Sequence, residues 1–295
     1  MTKSTIHQTR TGSFPIGFRK GFSEWQKDLS SVLNWAKDNH FSLVDIGRDA
    51  DSSAALVRQA GLSIGSADLL VWQDMISPDA GKRRDAVAKN SDYIQAATRG
   101  GALNFFTVML PEKPELPRIE NFAFMVESFA QLAPVLDATG SKIVIEGWPG
   151  NGALCCTPEG YRAFLKEMTG GSMGINYDPS HLVRMGIDPL RFLREFISHV
   201  YHVHGKDTLL FPDALYEFGN LQPATFAMGR RFGDQVWRYT IPGHGIISWV
   251  EIFGLLKEAS YQGAVSIELE DENFNGSIEG EKEGLLQSAS YLSGV

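Results

Sequence analysis

The sequence predicts an eight-stranded (β/α)8 barrel of the TIM type, a single domain over residues 1–295 with a long loop after strand seven. Three observations lead there. Short β-rich runs alternate with amphipathic helical patterns from one end of the chain to the other, which implies a parallel sheet with right-handed crossovers. Eight such runs suit closure into a barrel better than an open doubly wound sheet. Four of the runs end in Glu146, Asp178, His204 and Glu268, each able to hold a divalent cation. A parallel barrel gathers the C-terminal ends of its strands around one mouth, so these four would converge.

The predicted strands are Phe14–Phe18, Phe41–Ile46, Ser63–Leu70, Ala102–Met109, Lys142–Trp148, Met173–Asp178, Val200–His204 and Ala264–Leu269. Helices fill the gaps. Trp25, Leu29, Val32, Leu33 and Ala36 recur at a helical period after Ser23. Ser77-Pro78, Thr157-Pro158 and Asp188-Pro189 each offer an N-cap followed by a first-turn proline. Ser248-Trp249-Val250-Glu251 has the spacing of a capping box. The segment from Asp207 to Ser248 lacks a strong period but carries Phe211, Tyr216, Phe218, Phe226, Phe232, Trp237 and Tyr239, with the basic pair Arg230-Arg231. It leaves the same face as the four strand-end ligands. A lid or subunit contact is favoured over a surface loop packed by its own aromatics, because long loops in compact domains are usually functional.

Composition narrows the function. The chain is 43% hydrophobic and 21% charged, which suits a large core. A net charge of −8 and no run of five basic residues argue against nucleic acid, whose binding rests on Lys and Arg neutralising phosphates. No stretch nears the roughly eighteen apolar residues of a membrane span. Met1-Thr2-Lys3-Ser4-Thr5 has no apolar run, so no signal peptide is expected. The two cysteines, Cys155 and Cys156, are adjacent and have no other thiol to pair with. Two small buried residues in a loop is the favoured reading over a redox pair, and it fits a reducing cytoplasm.

The strand-end residues carry the chemistry. Glu146 follows Ile143-Val144-Ile145, and a carboxylate ending a buried strand must be paired, hydrogen-bonded or metal-bound. Glu268 has the same setting after Val265-Ser266-Ile267, with Glu270 pointing the same way two residues on. Glu268 is the expected ligand and Glu270 a rim or supporting group. Asp178 heads Asp178-Pro179-Ser180-His181, where the proline forces an extended or turned backbone. His181 could bind metal, touch substrate or cap the helix, and substrate contact is favoured. In His202-Val203-His204-Gly205-Lys206-Asp207 the two histidines share a strand face. Gly205 would allow close backbone approach beside a metal. Lys206 offers a cation to a substrate oxygen, and Asp207 could anchor an imidazole or that lysine.

These motifs resemble the sugar phosphate isomerase/epimerase superfamily, the xylose-isomerase-like barrels. The likeness rests on Glu146, the Asp178-Pro179-Ser180-His181 run, the His204-Gly205-Lys206-Asp207 run and Glu268, with Gly243-His244-Gly245 and Ser248-Trp249 before the last helix. It implies one divalent metal held by Glu146, Asp178, His204 and Glu268, with Mn²⁺, Mg²⁺ or Co²⁺ typical and Zn²⁺ compatible. It further implies that Glu146 and Glu268 form an acid/base pair and that His181 touches substrate. Family members commonly place an Asn after the first Glu, whereas this chain has Gly147-Trp148-Pro149. That departure and the long loop fit a bulkier sugar derivative, with Trp148 as an apolar wall.

Such a site can epimerise, isomerise or, with a β leaving group, dehydrate or cleave a keto-sugar, and the fold does not choose among these. The expected activity is a metal-dependent sugar isomerase or epimerase, with a lyase or keto-glycoside-cleaving enzyme as the alternative. Lys206 would position substrate oxygens. Arg238 and His244 are weaker candidates for polar contacts from the long loop. An apurinic endonuclease would need more His ligands and a basic groove, and a non-catalytic binding protein would not need proton-exchanging glutamates. The expected partner is a small sugar, unphosphorylated for want of a Gly-rich phosphate cradle. A homo-oligomer is expected, with a partner subunit an option.

Overall fold

The computed structural model describes residues 10–11 and 14–295, so the N-terminal residues on which the signal-peptide expectation rests lie outside the described part. Eight parallel strands form a closed barrel: β1 (Phe14–Arg19), β2 (Leu43–Ile46), β3 (Ser63–Asp68), β4 (Asn104–Val108), β5 (Lys142–Glu146), β6 (Met173–Tyr177), β7 (Val200–Gly205) and β8 (Val265–Ile267). Each pairs with its neighbours in chain order, β8 pairs β1 in parallel, and β1 pairs β2 to complete the ring. A two-residue strand, Arg10–Thr11, adds an antiparallel flank to β1. The strands are buried on both faces, which is why they read as apolar runs. Phe14, Ile16 and Phe18 of β1, Ile143 and Ile145 of β5, and Val265 and Ile267 of β8 are fully buried and belong to one continuous hydrophobic core.

The helices begin where short polar side chains can hold their free N–H groups. Thr157 caps Pro158–Glu167, and Asp188 caps Pro189–Phe196, as the Thr-Pro and Asp-Pro pairs predict. The Ser77-Pro78 expectation is off by two residues. Asp79 caps Ala80–Ala97, and the Ser77 hydroxyl instead accepts from the Asp79 N–H. Ser23 opens only the short 3₁₀ turn Glu24–Gln26, and Asp28 caps the α-helix Leu29–Asp38. Ser248 does precede the helix Trp249–Glu258, but its side chain makes no capping bond, so the predicted box is not formed.

The segment after β7 is more ordered than its sequence suggests. Asp207–Leu210 pairs antiparallel with Trp237–Thr240, and Pro212–Phe218 is a short helix between them. This hairpin is tied down at its base by a buried carboxylate. Asp207 accepts from the backbone N–H groups of Thr208, Gly243 and Ile247 at 2.8, 3.1 and 3.0 Å. Asp207 thus anchors the base of this hairpin, where the sequence suggested an imidazole or Lys206. The far end of the lid leaves Tyr216, Phe226 and Met228 exposed. No described helix is long and apolar enough to cross a membrane.

Candidate active site

The barrel places Glu146, Asp178 and Glu268 at one mouth, and each arrives already engaged by neighbouring side chains. Asp178 ends β6 and N-caps the helix Pro179–Arg184. Its Oδ1 accepts from the Ser180 N–H at 2.9 Å and the Ser180 hydroxyl at 2.6 Å. Its Oδ2 is buried, accepts no hydrogen bond, and faces His181 Nε2 at 3.4 Å and Lys206 Nζ at 3.3 Å. Glu146 Oε2 accepts from Asn176 Nδ2 at 2.9 Å and lies 2.7 Å from His204 Nδ1, while Oε1 lies 3.3 Å from His181 Nε2. Asn176 sits beside Glu146 in the β5–β6 register, an alignment no local signal reveals.

Glu268 is the more open of the pair. Its Oε1 lies 3.3 Å from Arg19 Nε, and its Oε2 is bonded to Lys206 Nζ and lies 3.6 Å from His204 Nδ1. Lys206 is fully buried and also bonds Glu270 at 2.9 Å, which puts Glu270 in the supporting position expected for it. Ligand atoms of Glu146, Asp178, His181 and Glu268 all lie within 4.8 Å of one another. A second group within the same limit joins Asp45, His202 and His204.

The donor set fits a divalent cation. Three carboxylates and one or two imidazoles form a mostly oxygen shell, suited to a hard or borderline metal. Two buried polar atoms aimed into its centre, Asp178 Oδ2 and His181 Nε2, have no hydrogen-bond partner. Buried polar atoms are seldom left so without a reason. Glu146, Asp178, Glu268 and a histidine are the residues that would hold the ion.

The electrostatics follow from this crowding. Burial and the Glu268 charge push the Glu146 carboxyl up, but His204 and His181 outweigh them and hold it below the usual range. Burial likewise opposes ionisation of Glu268, and Lys206, His204 and Arg19 overcome it. Burial would deprotonate Lys206, yet Asp178, Glu268 and Glu270 hold its pKa well above the ordinary value. His204 is raised against its burial by Glu268, Glu146 and Asp45. Both glutamates are therefore charged, and compensated by cations the protein itself supplies.

Other predicted site residues stand elsewhere. Trp148 is 39% exposed on the loop after β5. Arg238 is held by Asp271 at 2.8 Å and Glu272 at 3.2 Å, outside the carboxylate cluster. His244 packs near Phe274. Gly205 faces outward, where an added Cβ would meet Leu292 at 3.1 Å, so its smallness serves helix packing and not a metal.

Sequence reasoning passed over several residues of the site. Arg19, at the end of β1, bridges Asp68 and Glu268 and lies 4.3 Å above the Phe106 ring, which stacks on His204. Tyr239, from the lid, places its hydroxyl 2.6 Å from His181 Nδ1 and accepts from Arg184 at 2.7 Å. The outer edge of the cluster opens on a cavity of about 220 Å³ lined by Arg19, Phe22, Phe232, Glu268 and Glu270. The one signal available for Arg19 was its place at a strand's C-terminal end.

Comparison with known proteins agrees with this architecture. The chain is 31% identical over 176 residues to the uncharacterized protein YfiH of Bacillus subtilis, covering 57% of this chain and 54% of that one. It is 30% identical over 154 residues to an inosose dehydratase of Clostridium beijerinckii, covering 52% and 48%. The chain thus matches about half the length of these curated relatives. Among solved structures, a D-psicose 3-epimerase determined with D-fructose superposes with a TM-score of 0.70 at 15% identity, covering 95% of this chain and 99% of that one. The 3-keto-D-glucoside 4-epimerase YcjR of E. coli gives 0.67 at 15% identity, covering 93% and 99%. At such identities the likeness is one of fold. The family profile described as xylose isomerase-like TIM barrel matches residues 29–293, and the chain belongs to that family.

Proposed function

We propose that this protein is a divalent-metal-dependent isomerase or epimerase acting on a ketose or keto-sugar. The observation that carries the reading is the convergence of Glu146 and Glu268 on a common centre, with the buried Asp178 Oδ2 and His181 Nε2 beside them making no hydrogen bond. A bound divalent cation would polarise a carbonyl and its neighbouring hydroxyl, making the adjacent C–H acidic. Glu146 and Glu268 arrive from β5 and from the end of β8, three strands apart around the barrel ring. One carboxylate removes the proton from a carbon acid set between them, and the other returns one to the opposite face. Lys206, held by Asp178, Glu268 and Glu270, offers its ammonium to a substrate oxygen. His181, steadied by Tyr239, contacts substrate beside Glu146.

A second reading draws on the same proton abstraction. If a hydroxyl or glycosidic oxygen lies β to the carbonyl, loss of that group after deprotonation gives a dehydratase or lyase. Lys206 favours it, because a buried ammonium beside Glu268 and Glu270 can hydrogen-bond a departing oxygen and offset its developing charge. The partial matches to inosose dehydratases support the same alternative.

The test is solvent exchange. In deuterium oxide with Mn²⁺, a panel of ketoses and keto-glycosides should include one that takes up deuterium at the carbon next to the carbonyl. Uptake with substrate recovered as an epimer or isomer supports the first reading, and loss of that carbon's proton with an unsaturated product supports the second. No exchange across the panel would leave a binding role.

A further inference from the structure

The sequence offers Asp207 as the carboxylate that could anchor a metal-site imidazole or Lys206. The structure gives that position to a different residue. Asp45 lies on β2, is fully buried, and sits in the barrel interior. Its Oδ1 is fixed by the Ser66 N–H at 3.0 Å and the Ser266 hydroxyl at 2.8 Å, from the two strands β3 and β8. Its Oδ2 is hydrogen-bonded to His202 Nε2 at 2.9 Å and lies 3.3 Å from His204 Nε2, a buried nitrogen that has no hydrogen-bond partner of its own. The fit is tight. A Cβ on Gly65 would come within 2.1 Å of Asp45 Oδ1, so only glycine leaves room at that position.

The geometry separates the two nitrogens of His204. Nδ1 looks toward Glu146 and Glu268, at 2.7 and 3.6 Å, and Nε2 looks the other way, toward Asp45. The Phe106 ring stacks on the imidazole, with the ring centroids 5.4 Å apart. We propose that Asp45 is the positioning residue of the metal centre: it accepts from His204 Nε2–H, and so presents the bare Nδ1 to the cation. The inference rests on the proposed metal-dependent reading of the site. A ligating histidine generally donates its other ring N–H to such a partner, which fixes tautomer and orientation. His202, on the same Asp45 oxygen, completes the support from behind.

The experiment measures Mn²⁺ affinity by chelator competition, without substrate, in the wild type, Asp45→Asn and His202→Gln. Both variants disturb the same buried network, but only the first removes the charge facing His204. Asp45→Asn should weaken Mn²⁺ binding by roughly 10- to 100-fold. His202→Gln should change it by less than about threefold. Equal affinity in Asp45→Asn and wild type overturns the proposal, as does an equal loss in both variants, which would mark a merely structural network. A wild type that binds no divalent metal instead sinks the functional reading on which this inference rests. Should Asp45→Asn fail to fold, the Zn²⁺-loaded wild type decides. Long-range proton–nitrogen NMR should find His204 protonated at Nε2 and bare at Nδ1, and the reverse pattern overturns the assignment.

Discussion

The Tyr239 hydroxyl lies 2.6 Å from His181 Nδ1, so the lid hairpin is joined directly to the carboxylate cluster. The same oxygen accepts from Arg184, and the ring lies 4.5 Å from Lys206 Nζ. Tyr239→Phe keeps the ring and its packing but leaves Arg184 and His181 without their shared partner. A hydrogen bond involving a charged group contributes about 1.5–3 kcal/mol, so calorimetry should find the variant less stable by about that amount. Loss of stability below about 0.5 kcal/mol would mean that solvent satisfies both groups and the link is idle.

Glu146→Gln should abolish turnover and deuterium exchange while preserving the fold. The amide keeps the shape, and its oxygen can still accept from Asn176, whose Nδ2 now bonds Glu146 Oε2. It cannot take a proton from carbon. Exchange at the wild-type rate in a folded variant would remove Glu146 from the chemistry.

Lys206→Met should destabilise the metal-free protein by roughly 3–5 kcal/mol, the cost of stranding buried charges. The charges left behind belong to Asp178, Glu268 and Glu270. A divalent cation should recover much of that loss, since it neutralises the same oxygens. Thermal melts with and without Mn²⁺ provide the comparison, and a variant insensitive to the ion would contradict it.

The pH dependence has a definite sign. Glu146 and Glu268 are held below their ordinary value of 4.5 in the folded state. Below that value the unfolded chain binds more protons than the folded one, so stability falls as acid is added. The metal-free protein should keep its full contribution from these groups above pH 4.5 and lose it progressively below. His204 is raised above its ordinary 6.5, so its contribution is complete below that pH and disappears only on the alkaline side. Melts across the acid range check the first claim, and Glu268→Gln should show a shallower acid slope.

Arg238→Ala tests a residue the sequence nominates for substrate contact. Its guanidinium pairs with the fully buried Asp271, which also accepts from Thr240 and the Ile241 N–H. The variant should lose roughly 3 kcal/mol of stability, the low end for breaking a buried pair, because Thr240 and Ile241 still hold Asp271. Mn²⁺ affinity should stay unchanged.

The barrel was legible because its strands are buried on both faces and so stand out as apolar runs, each ended by a helix signal such as Thr157-Pro158 or Asp188-Pro189. The convergence of Glu146, Asp178 and Glu268 followed from that topology alone. Asp45 was not legible. It sits inside Leu43-Val44-Asp45-Ile46, and its partner His202 lies 157 residues away, so no local pattern marks it. The lid hairpin escaped for a similar reason. Its strands, Asp207–Leu210 and Trp237–Thr240, are four residues each and are joined by a long excursion, so no turn signal connects them. Ser77 and Ser248 show the reverse error, in which a plausible capping residue exists but Asp79 takes the role or the side chain makes no capping bond.

The knot of backbone N–H groups around Asp207 has an evolutionary consequence. Because that carboxylate cinches the entry and exit of the insertion, the stretch beyond the paired strands can be rewritten without disturbing the barrel beneath it. Under the proposed function, residues 211–236 would act as an exchangeable cassette above glutamates whose positions the barrel alone fixes.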